Sequence, residues 1–215
     1  MFKKLVLAVM VVAVAASLSF AEIAVSGRWG QLLGSTDFDF NSVAVPDNKN
    51  ETDAGVWGID LYMGQENAFS LGENVILGLK LGYSQLGTNH LSNPLIALYS
   101  DIYAGAGNIY IKVKLQEIFA VSGSAGIFAA YNKFEYFDLG TGKNAKDETW
   151  QIMPSVSAAA EFRPIDFLAV GFEVGYMFNG KIDYDKYDLK SAEIYRDISG
   201  FNYNFFVKIY LPKGE

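Results

Sequence analysis

The chain has 215 residues, 51% of them apolar, no cysteine and a formal net charge of −7 at pH 7. This excludes a disulfide-stapled scaffold and the basic surface that nucleic-acid binding requires. Aromatic residues make up 15% of the chain alongside 21 glycines, a balance that suits a membrane β-protein better than a soluble helical one.

Lys3 and Lys4 precede an apolar run from Leu5 to Leu18, and Ser19-Phe20-Ala21 supplies small residues for a cleavage site. This pattern predicts a secretory signal peptide over residues 1–21, with 22–215 as the mature domain. The alternative, an N-terminal anchor helix, needs a longer apolar run than this one. Loss of Lys3 and Lys4 leaves 15 basic and 24 acidic side chains, a net charge of −9. Without disulfides, an exported chain must hold its fold another way, and a closed hydrogen-bonded barrel would do so.

Side chains on a strand alternate between two faces, so a half-apolar strand reads as an alternation. The first such strand is 23–33, with Ile23, Val25, Gly27 and Trp29 on one face and Arg28 on the other. A polar stretch, 35–53, follows as a loop. The second strand, 56–65, points Trp57, Ile59, Leu61 and Met63 out and Gly58, Asp60, Tyr62 and Gly64 in. After a short connection, the third strand, 74–86, carries Val75, Leu77, Leu79, Leu81 and Tyr83 on one parity and Lys80 on the other.

Residues 87–94 read as a turn and 95–107 as a loop, with two alternatives: an upward extension of the fourth strand, or an extra hairpin giving ten strands. The fourth strand is clear at 108–116, with Ile109, Ile111, Val113 and Leu115 out and Tyr110, Lys112 and Lys114 in. A tight turn leads to the fifth, 120–133, which ends near Tyr131. Residues 134–149 read as a second charged loop. The sixth strand, 150–162, begins at Trp150 and directs Glu161 inward; Pro154 removes a ladder donor from it. The seventh, 168–179, alternates Val170, Phe172, Val174 and Tyr176 with Gly171, Glu173 and Gly175. A third long loop, 180–200, precedes the last strand, 201–211, where Phe201, Tyr203, Phe205, Val207, Ile209 and Leu211 oppose Asn202, Asn204, Lys208 and Tyr210.

Eight strands, with short connections after the even ones and long loops after the odd ones, predict an all-β, eight-stranded antiparallel up-and-down transmembrane barrel. A soluble lipocalin-like barrel has the same strand number but hides its apolar face. Here the polar parity is rich in Gly, Ala and Ser, as a narrow lumen requires. The other parity is bulky and aromatic toward the strand ends, predicting interface aromatics at Trp29, Trp57, Tyr83, Tyr131, Trp150, Tyr176, Phe201 and Tyr203.

The leader, the eight strands and the aromatic closing strand resemble the small outer-membrane barrels of diderm bacteria, including the OmpA membrane domain and the OmpX and OmpW families. The resemblance is one of pattern over the whole mature chain. It implies an outer-membrane location, contact with outer-membrane lipids and with the barrel assembly machinery, and a monomer with no cofactor. The chain departs from that pattern where Pro212-Lys213-Gly214-Glu215 follows Leu211, since such proteins usually end on an aromatic residue.

The inward parity carries Arg28, Asp60, Lys80, Lys112, Lys114, Glu161, Glu173 and Lys208. An eight-stranded interior is just wide enough to be filled by side chains, and charges there are costly unless paired. This predicts a network of ion pairs and no wide channel, with Glu173 as partner of Lys208 and an acid shared by Arg28 and Lys208. The alternative is a polar pore lined by the same charges.

The sharpest candidate for catalysis is Asn89-His90-Leu91-Ser92-Asn93, containing the only histidine. Two residues apart on an extended segment, His90 and Ser92 share a face, so an imidazole could activate the hydroxyl. The stretch resembles the H-x-S-N segment of lipid A deacylase barrels, which implies His90 as base and Ser92 as nucleophile. No Glu stands where that family places its third member; Asp101 is the nearest acid downstream. The bland alternative is a polar loop with one histidine. Asp183, Asp185 and Asp188 lack the glycine and closing Glu of a Ca²⁺ loop, so no metal site is expected. Three functions therefore compete: a structural or surface-interaction barrel whose long acidic loops meet a surface ligand, an OmpW-like conduit for apolar solutes opening at Pro154 or 104–107, and a lipid A acyl hydrolase.

Overall fold

A computed structural model of the chain describes residues 22–33, 38–41, 49–53, 55–67, 70–92, 96–138, 142–183 and 193–212. The expected leader, 1–21, and the Asp185 and Asp188 positions lie outside these residues. Eight strands form the barrel: β1 (Glu22–Leu32), β2 (Gly55–Glu66), β3 (Val75–Ser92), β4 (Ile96–Lys114), β5 (Phe119–Asp138), β6 (Lys143–Ile165), β7 (Leu168–Met177) and β8 (Gly200–Tyr210). Each pairs antiparallel with its sequence neighbours, and β1 pairs with β8 from Ala24↔Tyr210 to Leu32↔Asn202. The β1–β8 pairing closes the sheet, so neither the first nor the last strand is an edge.

The polarity is inside-out. On β8, Asn204, Phe206, Lys208 and Tyr210 are buried, while Phe201, Phe205 and Ile209 are exposed. The same alternation exposes Trp29, Ile59, Leu81, Ile109, Ile152 and Phe172 on the outer wall. A soluble barrel would reverse this order. The expected boundaries of β1, β2, β7 and β8 hold to within two residues.

The central strands are taller than the sequence suggests. Residues 87–92 belong to β3 rather than to a turn, and 96–107 extend β4 upward, the first of the two alternatives, rather than forming a loop or an extra hairpin. A register shift between Gln85 and Thr88 marks a bulge, with Gly87 at φ 110°, which a side chain rarely tolerates. The expected loop at 134–149 is mostly strand as well, since β5 runs to Asp138 and β6 starts at Lys143. The inward parity of β4 is unbroken: Leu98, Ser100, Ile102, Ala104, Ala106, Asn108, Tyr110 and Lys112 are all buried. Above the charged lumen the inward residues turn apolar, and that change mimics a change of face.

That upper end is capped. Phe38–Asn41, Lys181–Asp183 and Glu193–Asp197, all inside expected loops, form a separate three-stranded sheet. Ile182 and Ile198 beside it share one buried cluster with Leu98, Ile102, Phe134 and Tyr136 from the tall strands. Lys49–Asp53 adds a short strand to the upper part of β3.

Candidate functional site

The lumen is crossed by two groups of ion pairs, each with two acids and two bases. Nearer the short turns, the Lys112 ammonium binds the Glu22 carboxylate, donates to the Tyr210 hydroxyl at 3.2 Å and lies 3.9 Å from Glu161. Lys208 donates to the other Glu161 oxygen at 2.6 Å, and the Tyr210 hydroxyl also donates to Glu161. Further up, Arg28 sits 3.2 Å from Asp60 and 3.7 Å from Glu173 and donates to Ser84. Lys80 donates to Glu173 at 2.6 Å and lies 3.7 Å from Asp60. The Tyr62 ring joins the groups, with the Lys208 ammonium 4.0 Å and the Lys80 ammonium 5.5 Å from its centroid.

These contacts cross the bore. In the closed order, β3 and β7 stand on opposite walls, and Lys80 meets Glu173 between them. Glycines make the space. Gly64 and Gly78 are register partners, and a Cβ on either would meet the Tyr110 side chain lying over them. Tyr62 and Tyr110 pack edge to face at 5.5 Å.

Sequence reasoning assigned the pairs incorrectly. The partner of Lys208 is Glu161, not Glu173, and Arg28 shares its acids with Lys80, not with Lys208. Strand adjacency is insufficient; height matters too. Lys208 is level with Ala169 on β7, whereas Glu173 is level with Asn204, four residues away along β8. Lys114 is only partly buried and pairs at the rim with Glu66 at 2.5 Å. Glu22 and Glu66 were missed because the strand bounds were drawn one residue short; the inward parity itself would have found both.

Above the ion pairs the bore becomes apolar, closed by Leu86, Leu98, Ile102, Phe134, Met153 and Met177. Arg196, fully buried on the cap, donates to the Ser100 hydroxyl at 2.8 Å. This residue carried no signal in the sequence, since its burial depends on a sheet formed between distant loops.

The aromatic residues expected at the interfaces are outward and paired by ring contacts. Tyr131 and Trp150 lie 5.1 Å apart, Tyr176 and Phe201 4.9 Å, and Trp57 and Tyr83 6.3 Å. Tyr203 donates to Gln31 at 2.7 Å, and Trp29 is half exposed. Apolar wall outside, paired charges inside and rings along the outer wall together define the molecule. It is a transmembrane barrel of the outer-membrane type.

Above the rings, the outer wall carries Lys133, Glu135 and Lys146, with both ammoniums on one Glu135 oxygen at 3.2 and 2.8 Å. The hydrogen bonds from Lys146 and Lys133 hold the Glu135 carboxyl below its ordinary pKa. His90 lies on β3, level with Glu51 of the short strand beside it, and its ring stacks on Tyr99 at 4.3 Å. Asp101 is level with Thr88, not with His90.

No protein-family model matches the chain, and no curated protein was found to match it. Among solved structures it is similar to Ail, the attachment invasion locus protein of Yersinia pestis (10% identity, TM-score 0.44, over 88% of this chain and 98% of that one). It is also similar to the outer membrane protein OprG from Pseudomonas aeruginosa (12%, 0.45, 88% and 95%) and to the N-terminal β-barrel domain of Pseudomonas aeruginosa OprF (9%, 0.42, 88% and 97%).

Proposed function

We propose that this barrel is a surface-interaction protein, anchored by a lumen that does not conduct and working through the tall wall of β3–β6. The observation that carries the reading is the Lys80–Glu173 pair closed across the full bore, with an apolar plug above it. A filled lumen leaves the extracellular surface as the part free to act. The outward rings at Trp29, Trp57, Tyr83, Tyr131, Trp150, Tyr176, Phe201 and Tyr203 would hold the barrel at the lipid interfaces.

Among the described residues, the upper β6 has one side that no strand pairs with. The Phe178 N–H donates to the Pro154 carbonyl, and the β6–β7 ladder stops at Ser155↔Met177. Pro154 has no N–H to offer on that side. Beyond it, Ile152, Trp150, Glu148 and Lys146 turn their backbone groups the same way, and among the described residues no strand pairs with them there. An extended segment of a partner could add to this edge by main-chain hydrogen bonds, with Lys146 and Glu148 reading its side chains.

A test is selection of a displayed random-peptide library on the barrel in nanodiscs. Peptides enriched by wild type should be lost on Glu148→Pro and on N-methylation of alternate peptide bonds. Equal binding to Glu148→Pro would sink the edge reading. The conduit reading gains nothing at 104–107, where β4 pairs residue by residue with both neighbours, whereas at Pro154, its other expected weak point, the β6–β7 ladder does stop. The hydrolase reading gains nothing from a His90 ring stacked on Tyr99.

A further inference from the structure

A cleft of about 500 Å³ lies at the short-turn end of the barrel, lined by the start of β1, the ends of β2, β4 and β8 and the β6–β7 turn. Sites for small molecules commonly enclose about 300–1,000 Å³. The lining is of two kinds. Glu22, Glu66, Lys114, Arg163 and Asp166 bring charge. Phe167 and Leu211, each next in the chain to a polar lining residue, bring apolar surface that is 58% and 45% exposed.

Most of the charge is already matched. Glu22 binds Lys112, and Lys114 donates to Glu66 at 2.5 Å. Arg163 and Asp166 are left over. The Arg163 guanidinium lies 4.1 Å from the centroid of the Tyr210 ring and donates to the Asp166 backbone carbonyl, not to its carboxylate. Among the described residues, no carboxylate pairs with Arg163 and no cation pairs with Asp166. The ring holds the guanidinium in place, and its remaining donors suit a phosphate.

The geometry points to a seat for one phosphoethanolamine headgroup, its phosphate on Arg163, its ammonium on Asp166 and an acyl chain over Phe167 and Leu211. The occupant follows from what the cleft leaves unmatched. One spare cation beside one spare acid calls for a ligand with both charges, since a simple anion or a simple cation satisfies only half the site. The adjoining apolar surface calls for a tail, which a free amino acid lacks. Short connections in such barrels face the periplasm, so the lipid belongs to the periplasmic leaflet. The seat is independent of what the extracellular wall binds.

The test is native mass spectrometry of the folded barrel extracted from vesicles with equal phosphatidylethanolamine and phosphatidylglycerol. Wild type should retain one phosphatidylethanolamine, favoured about fivefold, the upper end of what an exposed ion pair contributes. Arg163→Gln should lose retained lipid of both kinds. Asp166→Asn, at an exposed position, should keep a lipid but lose the preference. This second variant decides the matter if loss of the arginine deforms the turn, which heat-modifiable gel migration would reveal. Equal retention of the two lipids by wild type, retention indifferent to both substitutions, or displacement of the lipid by an equal concentration of free phosphoethanolamine would overturn the seat.

Discussion

At the scale of single residues, the lumen turns on neutralised charge. Glu161 accepts from Lys208 and Tyr210 and faces Lys112. Glu161→Gln leaves two buried ammoniums short of one negative charge, and breaking a buried pair this way costs about 3–5 kcal/mol. Urea unfolding in detergent micelles checks it, and a loss below 1 kcal/mol would mean that water enters to solvate the lysines. Gly78 is a second sensitive point. A Cβ there would meet the Met63 carbonyl oxygen and come within 2.6 Å of the Tyr110 ring. Gly78→Ala should therefore destabilise by about 1–3 kcal/mol, as overpacking does. Shortening the ring with Tyr110→Leu in the same chain should recover part of that loss. Outside the membrane, Glu135 titrates below its ordinary range because Lys146 and Lys133 bond its charged form. A depressed folded pKa means the contribution is present above the unfolded value and is lost as pH falls through the folded one. NMR titration should place the Glu135 midpoint below that of a free glutamate and raise it in Lys146→Met; an unmoved midpoint would refute the pairing.

At the scale of elements, the lower barrel was legible and the upper part was not. Strict alternation marked β1, β2, β7 and β8, because lipid outside and a charged bore inside give each parity a different chemistry. Above the bore that contrast disappears. Leu98 and Ile102 point inward and Tyr99 and Tyr103 outward, so the parity rule loses its two-colour code in the upper β4. The cap strands were invisible for another reason: 38–41 pairs with 193–197 across most of the chain, and no local pattern announces such a pairing. Charge positions in the lumen were readable from parity, whereas their partners needed register. The wall edge yields its own prediction. Lys146 and Glu148 give the edge opposite outward charges, as natural edges do to resist self-pairing. Neutralising both, with Lys146→Thr and Glu148→Thr, should promote concentration-dependent association of the barrel in detergent, measured by sedimentation; a strictly monomeric double variant would argue that the cap shields the edge.

At the scale of the whole molecule, the filled lumen makes a plain electrical statement. In planar bilayers the barrel should give no steady, large, ion-selective steps, and such steps would overturn the plugged reading. The pairings across the bore also bear on the order of events in assembly. Glu22 and Arg28 lie on the first strand, while Glu161, Glu173 and Lys208 lie on strands six to eight. Lys80 waits for Glu173, 93 residues further along the chain. A half-curled sheet could pair Arg28 with Asp60 and Lys208 with Glu161 but would hold Lys80 away from Glu173. Long-range contacts reward the chain only after its loops have closed, and here the pairs that span the bore come last, when the first strand meets the last. The seam between β1 and β8 therefore acts as a latch: until it shuts, lysines and carboxylates hold water in the bore, and when it shuts they expel it together.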